Sequence, residues 1–188
     1  MTMTSHQSQV LSVLQKLFPS GAVLHEPTFK GEEWTYVKEC LDTGWVSSVG
    51  KFVDQFEADL AAYTGARRAV VVVNGTAALQ LCLQLAGVKS GDEVLMPALT
   101  FVATANAAAY FGAIPHFVDS SEATLGLDPE KLDLYLREIA ELKDGASYNK
   151  KTGRRIRAVV PMHTFGHPVD LDRLVEVCAR HRLELIED

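Results

Sequence analysis

Ala69-Val70-Val71-Val72-Val73-Asn74-Gly75-Thr76-Ala77-Ala78 is the stretch on which the fold reading turns. The unbroken aliphatic run fits a strand buried on both faces, Asn74 and Gly75 make a turn, and residues 76–85 follow a helical pattern. The alternation then repeats. Strands are expected at 93–96, 116–118, 156–160 and 183–186, and helices at about 100–111, 129–142 and 170–180. Strands alternating with helices predict an α/β fold, with a largely parallel sheet covered by helices on both faces. Residues 143–157 are polar and basic, with Asp144-Gly145 and Gly153 as turn formers, and read as a solvated loop or hairpin.

Upstream, Val10, Leu11, Val13, Leu14 and Leu17 give a short amphipathic helix that looks like an arm. An irregular stretch surrounds His25-Glu26-Pro27. A second helix spans about 32–41, ended by Asp42-Thr43-Gly44, and Trp45 to Gly50 is a loop. Val53, Phe56, Leu60 and Tyr63 mark a third helix with its stop at Gly65.

With 188 residues, 47% hydrophobic and 22% charged, the chain can bury a core. A formal net charge of −6 argues against nucleic acid or an anionic membrane as partner. No apolar stretch approaches the roughly 18 residues needed to span a bilayer, so a cytoplasmic protein is expected. Cys40, Cys82 and Cys178 are odd in number and widely spaced, which suits buried thiols in a reducing compartment rather than disulfides or zinc.

Ligands of open α/β sheets bind beyond the carboxyl ends of the strands, and three features fall there. Gly75 and Thr76 open a helix whose first amides suit a phosphate, although a strand, a glycine and a capping threonine also make an ordinary turn. Phe101 can lie against a flat heteroaromatic ligand or simply sit in the core. Asp188, after the last strand, can pair with a protonated ring nitrogen or cap a helix that would follow.

These residues lie within a longer pattern: Asn74-Gly75-Thr76-Ala77-Ala78-Leu79, Gly91-Asp92-Glu93-Val94, 97–104, Gly112-Ala113-Ile114-Pro115, Val118-Asp119, His163-Thr164-Phe165-Gly166, Asp170-Leu171-Asp172 and Ile186-Glu187-Asp188. In this order they resemble the DegT/DnrJ/StrS class of pyridoxal-phosphate sugar aminotransferases, and residues 41–53 are especially similar to its LegC-type branch. The resemblance implies a fold-type-I large domain, three layers α/β/α around a mostly parallel sheet. Residues 1–50 would be an N-terminal arm and a substrate or interface loop, and 51–188 the first part of the cofactor-binding domain. Gly75, Thr76 and the Ala77 amide would hold the phosphate of pyridoxal 5'-phosphate, Phe101 would stack on its ring and Asp188 would pair with its nitrogen. His163 would orient the cofactor or serve the structure alone. Trp45, Ser47 and Ser48 would lie near the sugar nucleotide or a partner subunit.

The implied reaction moves an amino group from an amino acid, glutamate being the expected donor, to a nucleotide-linked keto-sugar in bacterial surface-glycan synthesis by a homodimer. The lysine that links the cofactor is expected beyond Asp188, together with the rest of the large domain and a small C-terminal domain. On that expectation the 188 residues form a truncated piece that does not transaminate alone. The alternative is a non-catalytic remnant that binds a phosphate ligand or a partner. Other motifs fail on spacing. Ser48 to Lys51, Ser147 to Asn149 and Lys151 to Gly153 imitate a penicillin-recognising hydrolase, but the last two are too close to converge across a cleft. Residues 44–51 miss a phosphate-binding loop by one residue and by Phe52. Gly166 and Pro168 prevent His163 and His167 from forming a helical metal pair, and Asp170 and Asp172 suit a helix cap.

Overall fold

The computed structural model describes residues 4–21, 23 and 26–188, so His25 lies outside the described residues, while Glu26 and Pro27 are irregular as expected. The chain forms two compact units, Met1–Ala69 and Val70–Asp188.

The first unit is helical. Helix α1 (Ser5–Leu17) begins with a reciprocal cap: Thr4 Oγ1 accepts from the Gln7 amide and Gln7 Oε1 accepts from the Thr4 amide. Helices α2 (Glu33–Thr43) and α3 (Lys51–Thr64) stop at Gly44 and Gly65, with φ of 74° and 73°. That left-handed conformation is cheap only without a Cβ, which is why both stops are legible in the sequence. The Tyr36 and Phe52 rings lie 5.0 Å apart and Lys51 pairs with Glu39, joining α2 to α3. No described residue of the three helices is buried.

The core lies in the second unit. Helix α4 (Gly75–Leu85) leads to strand β1 (Glu93–Pro97), α5 (Val102–Ala109), β2 (Ile114–Val118) and α6 (Pro129–Ile139). Next come β3 (Ala140–Lys143), β4 (Ala146–Asn149), β5 (Arg155–Val159), α7 (Leu171–Arg180) and β6 (Glu184–Leu185). The strand order is β2-β1-β5-β4-β3, with β6 also on β5. Strands β2, β1, β5 and β6 run parallel, and the β3–β4 hairpin joins β5 antiparallel. Alternating side chains of one strand divide between two cores. Leu95 packs with Leu132, Leu136, Leu174 and Val177 from α6 and α7, whereas Val94 and Met96 pack with Leu79, Leu83, Ala107 and Ala108 from α4 and α5. Fully burying each large aliphatic side chain contributes roughly 1.5–3 kcal/mol, so two filled cores fix the three layers. Between Glu93↔Ile156 and Val94↔Ala158 the register skips Arg157, whose Nε donates to the Ala86 carbonyl at 2.6 Å.

Four expectations are corrected. Residues 69–73 are not a strand: they are outside the sheet, with Val70 77% and Val73 89% exposed. Aliphatic propensity becomes a strand only where a neighbouring segment pairs with it as a ladder, and residues 69–73 join no ladder of this sheet. Helix α6 ends at Ile139 rather than 142, because the chain turns directly into β3, and Asp144-Gly145 (φ 51° and 76°) closes a two-residue hairpin. That hairpin is not wholly solvated, since Ala146, Ser147 and Asn149 are buried. Of the three thiols only Cys178 is buried; Cys82 is exposed and Cys40 half-buried. Among the described residues no helix is long and apolar enough to cross a membrane.

Candidate functional site

Beyond the carboxyl ends of β5 and β6 the parallel ladder continues to the last residue. The Asp188 amide donates to the Pro161 carbonyl and the His163 amide to the Asp188 carbonyl, each at 3.0 Å. The aspartate backbone is therefore fixed on the sheet edge where ligands of such folds bind. Its carboxylate is fixed as well: Thr104 Oγ1 donates to Asp188 Oδ2 at 2.5 Å, and Thr100 Oγ1 donates to Thr104 Oγ1 at 2.9 Å.

Thr104 stands in the first turn of α5, and its amide donates to the carbonyl of Phe101, the N-cap residue. One helical turn thus carries both the Phe101 ring and the hydroxyl that holds Asp188. Phe101 is 68% exposed, which removes the core reading of that ring. Sequence reasoning did not assign Thr100 or Thr104; the signal was a threonine three residues after the turn aromatic, where a helix directs its side chain back over its own N-terminus.

The start of α4 belongs to the same unit. Asn74 is extended (φ −165°, ψ 168°), and its Oδ1 accepts from the Ala77 amide at 2.9 Å. Asn74 as the N-cap was another residue the sequence reading left without a role. The Gly75 and Thr76 amides bond to no described residue, and a Cβ at Gly75 would meet nothing within 4 Å. Two helix-end donors therefore stand open to an anion, with Ala77 already taken. Leu79 and Leu83 of α4 share their core with Ala107 and Ala108 of α5.

The structure brings His163 against the Asp188 main chain but commits its ring elsewhere. Nδ1 accepts from the Val169 amide at 3.3 Å, which leaves the Nε2 proton for Glu187 Oε2 at 3.1 Å. Trp45 and Ser47 belong to the helical unit, where with Cys40 and Lys51 they line a hollow of about 680 Å³; Ser48 is not in its lining.

The other polar clusters are braces. Glu93 is buried and accepts from Asn149 and His116 on Oε2, both at 2.9 Å, and from Thr152 on Oε1 at 2.7 Å. Burial pushes its acidity down, yet the Thr152, Asn149 and His116 donors outweigh it and hold the carboxyl below its usual range. Ser147 is fully buried and its hydroxyl donates to the His181 carbonyl, so it is no nucleophile. Phe165 at φ 53° breaks the chain between His163 and His167, and Asp170 caps α7 through the Arg173 amide. Among the described residues no group of three or more His, Cys, Asp or Glu side chains could hold a metal.

A donor-bearing helix start, an exposed ring and an oriented carboxylate match the phosphate, the ring and the ring nitrogen of a pyridoxal cofactor in chemical type. Comparison with known proteins agrees. The model of the DegT/DnrJ/EryC1/StrS aminotransferase family, whose enzymes depend on pyridoxal phosphate, matches residues 27–188. GDP-perosamine synthase of Caulobacter vibrioides is 40% identical over 162 residues, covering 86% of this chain and 39% of that protein. The spore coat polysaccharide biosynthesis protein SpsC of Bacillus subtilis is 40% identical over 162 residues, covering 86% of this chain and 37% of its own length. The crystal structure of NtdA from Bacillus subtilis with bound cofactor PMP superposes with a TM-score of 0.69 at 26% identity, covering 93% of this chain and 39% of that one. The chain thus spans about two fifths of the length of these relatives. On fold, motif order and similarity together, the chain belongs to the DegT/DnrJ/EryC1/StrS aminotransferase family.

Proposed function

We propose that this chain carries the cofactor end of a pyridoxal-phosphate sugar aminotransferase, which transfers an amino group from an amino acid, glutamate by expectation, to a nucleotide-linked keto-sugar. Polysaccharide biosynthesis fits the name of the relative SpsC, and the proposal places the reaction in surface-glycan synthesis, in the cytoplasm and in a homodimer. The observation that carries the reading is the single turn of α5 that joins Phe101 and Thr104 to Asp188.

In this reading the Gly75 and Thr76 amides and the Thr76 hydroxyl donate to the cofactor phosphate at the positive end of α4. Ala77 adds no bulk to obstruct the approach. The exposed Phe101 ring covers one face of the pyridine ring and excludes water from it. Asp188 accepts a hydrogen bond from the protonated ring nitrogen on the oxygen that Thr104 leaves free. His163 acts by fixing the Asp188 backbone. When bound, pyridoxal phosphate supplies an electron sink for the pair released at the amino-bearing carbon. Trp45, Ser47 and Ser48 are assigned to the sugar nucleotide or a partner subunit.

Titration of the chain with pyridoxamine phosphate tests the site, because that ligand needs no covalent lysine. Saturation at one equivalent is expected, with affinity about tenfold weaker for Asp188→Asn and for Thr76→Val, since a hydrogen bond to a charged group is worth roughly 1.5–3 kcal/mol. Affinity that neither substitution changes overturns the assignment. Mass-spectrometric detection of an amino group moved from glutamate to a nucleotide-linked keto-sugar checks the reaction.

A further inference from the structure

We infer that Thr104 is a positioning residue: with Thr100 behind it, it aims the Asp188 carboxylate so that one oxygen is reserved for the cofactor's ring nitrogen. The inference rests on the role proposed for Asp188 and adds a second residue to it.

The direction of the hydroxyl chain follows from proton counting. A threonine hydroxyl has one proton to donate. Thr104 gives its proton to Asp188 Oδ2, so it can meet Thr100 only as an acceptor, and Thr100 must donate. Two O–H dipoles therefore point in sequence at one carboxylate oxygen. Thr104 is 1% exposed, so water cannot replace it, whereas Asp188 is exposed. The Asp188 backbone is pinned by Pro161 and His163, which leaves rotation of the carboxylate as its principal freedom. Thr104 removes that freedom. Its own place is set by the amide bond to Phe101 O, so the carboxylate is oriented from the same turn that carries the stacking ring. Oδ1 has no bond among the described residues and is the oxygen left to receive a ring N–H.

A merely structural threonine would weaken all ligands of the site together. A positioning threonine weakens only those that use the ring nitrogen. The experiment compares pyridoxamine phosphate with its carbocyclic analogue, in which C–H replaces the ring nitrogen, by calorimetric titration of the chain, Asp188→Asn, Thr104→Val and Thr104→Ser. The unsubstituted chain is expected to prefer pyridoxamine phosphate by about tenfold or more. Thr104→Val, which keeps the shape but not the hydroxyl, is expected to lose most of that preference while binding the analogue unchanged. Thr104→Ser restores it.

The outcomes separate two failures. If the unsubstituted chain shows no preference, or Asp188→Asn leaves the preference intact, the role of Asp188 falls and the inference with it. If Asp188→Asn abolishes the preference but Thr104→Val retains it, Asp188 stands and Thr104 does not position it. Equal weakening of both ligands by Thr104→Val likewise overturns the inference in favour of a packing role.

Discussion

Replacing Asp133 by Asn should cost about 2 kcal/mol of stability near neutral pH and nothing in strong acid. Asp133 lies on α6 with its side chain 13% exposed, facing three cationic or protonatable groups. Oδ1 accepts from His181 Nε2 at 2.9 Å, and Oδ2 accepts from Arg137 and Arg180, each at 2.6 Å. Burial by itself would raise its pKa, but the bonds from His181, Arg180 and Arg137 outweigh burial and bring it from 3.8 to about 2. A depressed carboxylate pKa means that the folded state holds the ionised form more strongly than the unfolded chain does. The contribution is fully present above the unfolded value near 3.8 and disappears as pH falls through about 2. At roughly 1.4 kcal/mol per unit the shift corresponds to about 2 kcal/mol. Removing one member of a buried charge cluster can cost more, but Arg137 and Arg180 are 61% and 47% exposed and can turn to water. Urea unfolding of the chain and of Asp133→Asn, followed by circular dichroism between pH 7 and pH 2, measures the difference. A gap between the two proteins that stays constant across that range would refute the ionic account and leave only packing.

Two further outcomes follow from individual side chains. Burial pushes the Cys178 thiol up to about 12, whereas Cys82 is exposed, so a disulfide reagent at pH 8 should modify Cys82 in the native chain and Cys178 only with urea present; native labelling of Cys178 in a Cys82→Ser chain contradicts this. A Cβ on Gly126 would stand 2.4 Å from Val169 Cγ1 and 3.3 Å from the Met162 carbonyl, so Gly126→Ala should lower stability by about 1–3 kcal/mol, read from the urea midpoint, and Val169→Ala should recover part of it.

How much of this was written in the sequence depends on how far each feature reaches along the chain. The stops at Gly44 and Gly65, the cap at Asp170 and the strand at Glu93 are local decisions, made by a left-handed φ, a short polar side chain or an apolar run, and all are legible. The failure at residues 69–73 has the opposite cause. A strand is a property of two segments, and an aliphatic run specifies only one of them. The end of α6 fails for a related reason: Ala140 to Lys143 has no breaker before it, and only pairing with Ala146 to Asn149 decides that it is extended.

The candidate site divides along the same line. Among the residues proposed for the site, Phe101 and Asp188 were visible as residues that follow strands of the sheet, whereas Gly75 and Thr76 follow a run that does not join it and were singled out with the family resemblance. Thr104 was not, because its importance lies in a bond that spans 84 residues to Asp188. The Glu93 brace was hidden in the same way, gathering partners 23, 56 and 59 residues away. Groups that meet a ligand are placed by the ends of secondary structure and can be read from one segment at a time. Groups that orient those residues are placed by packing between segments, so an orienting residue has to be found in the three-dimensional structure. A site read only from its ligand-facing residues therefore lacks the hydroxyls that decide which way its carboxylate points.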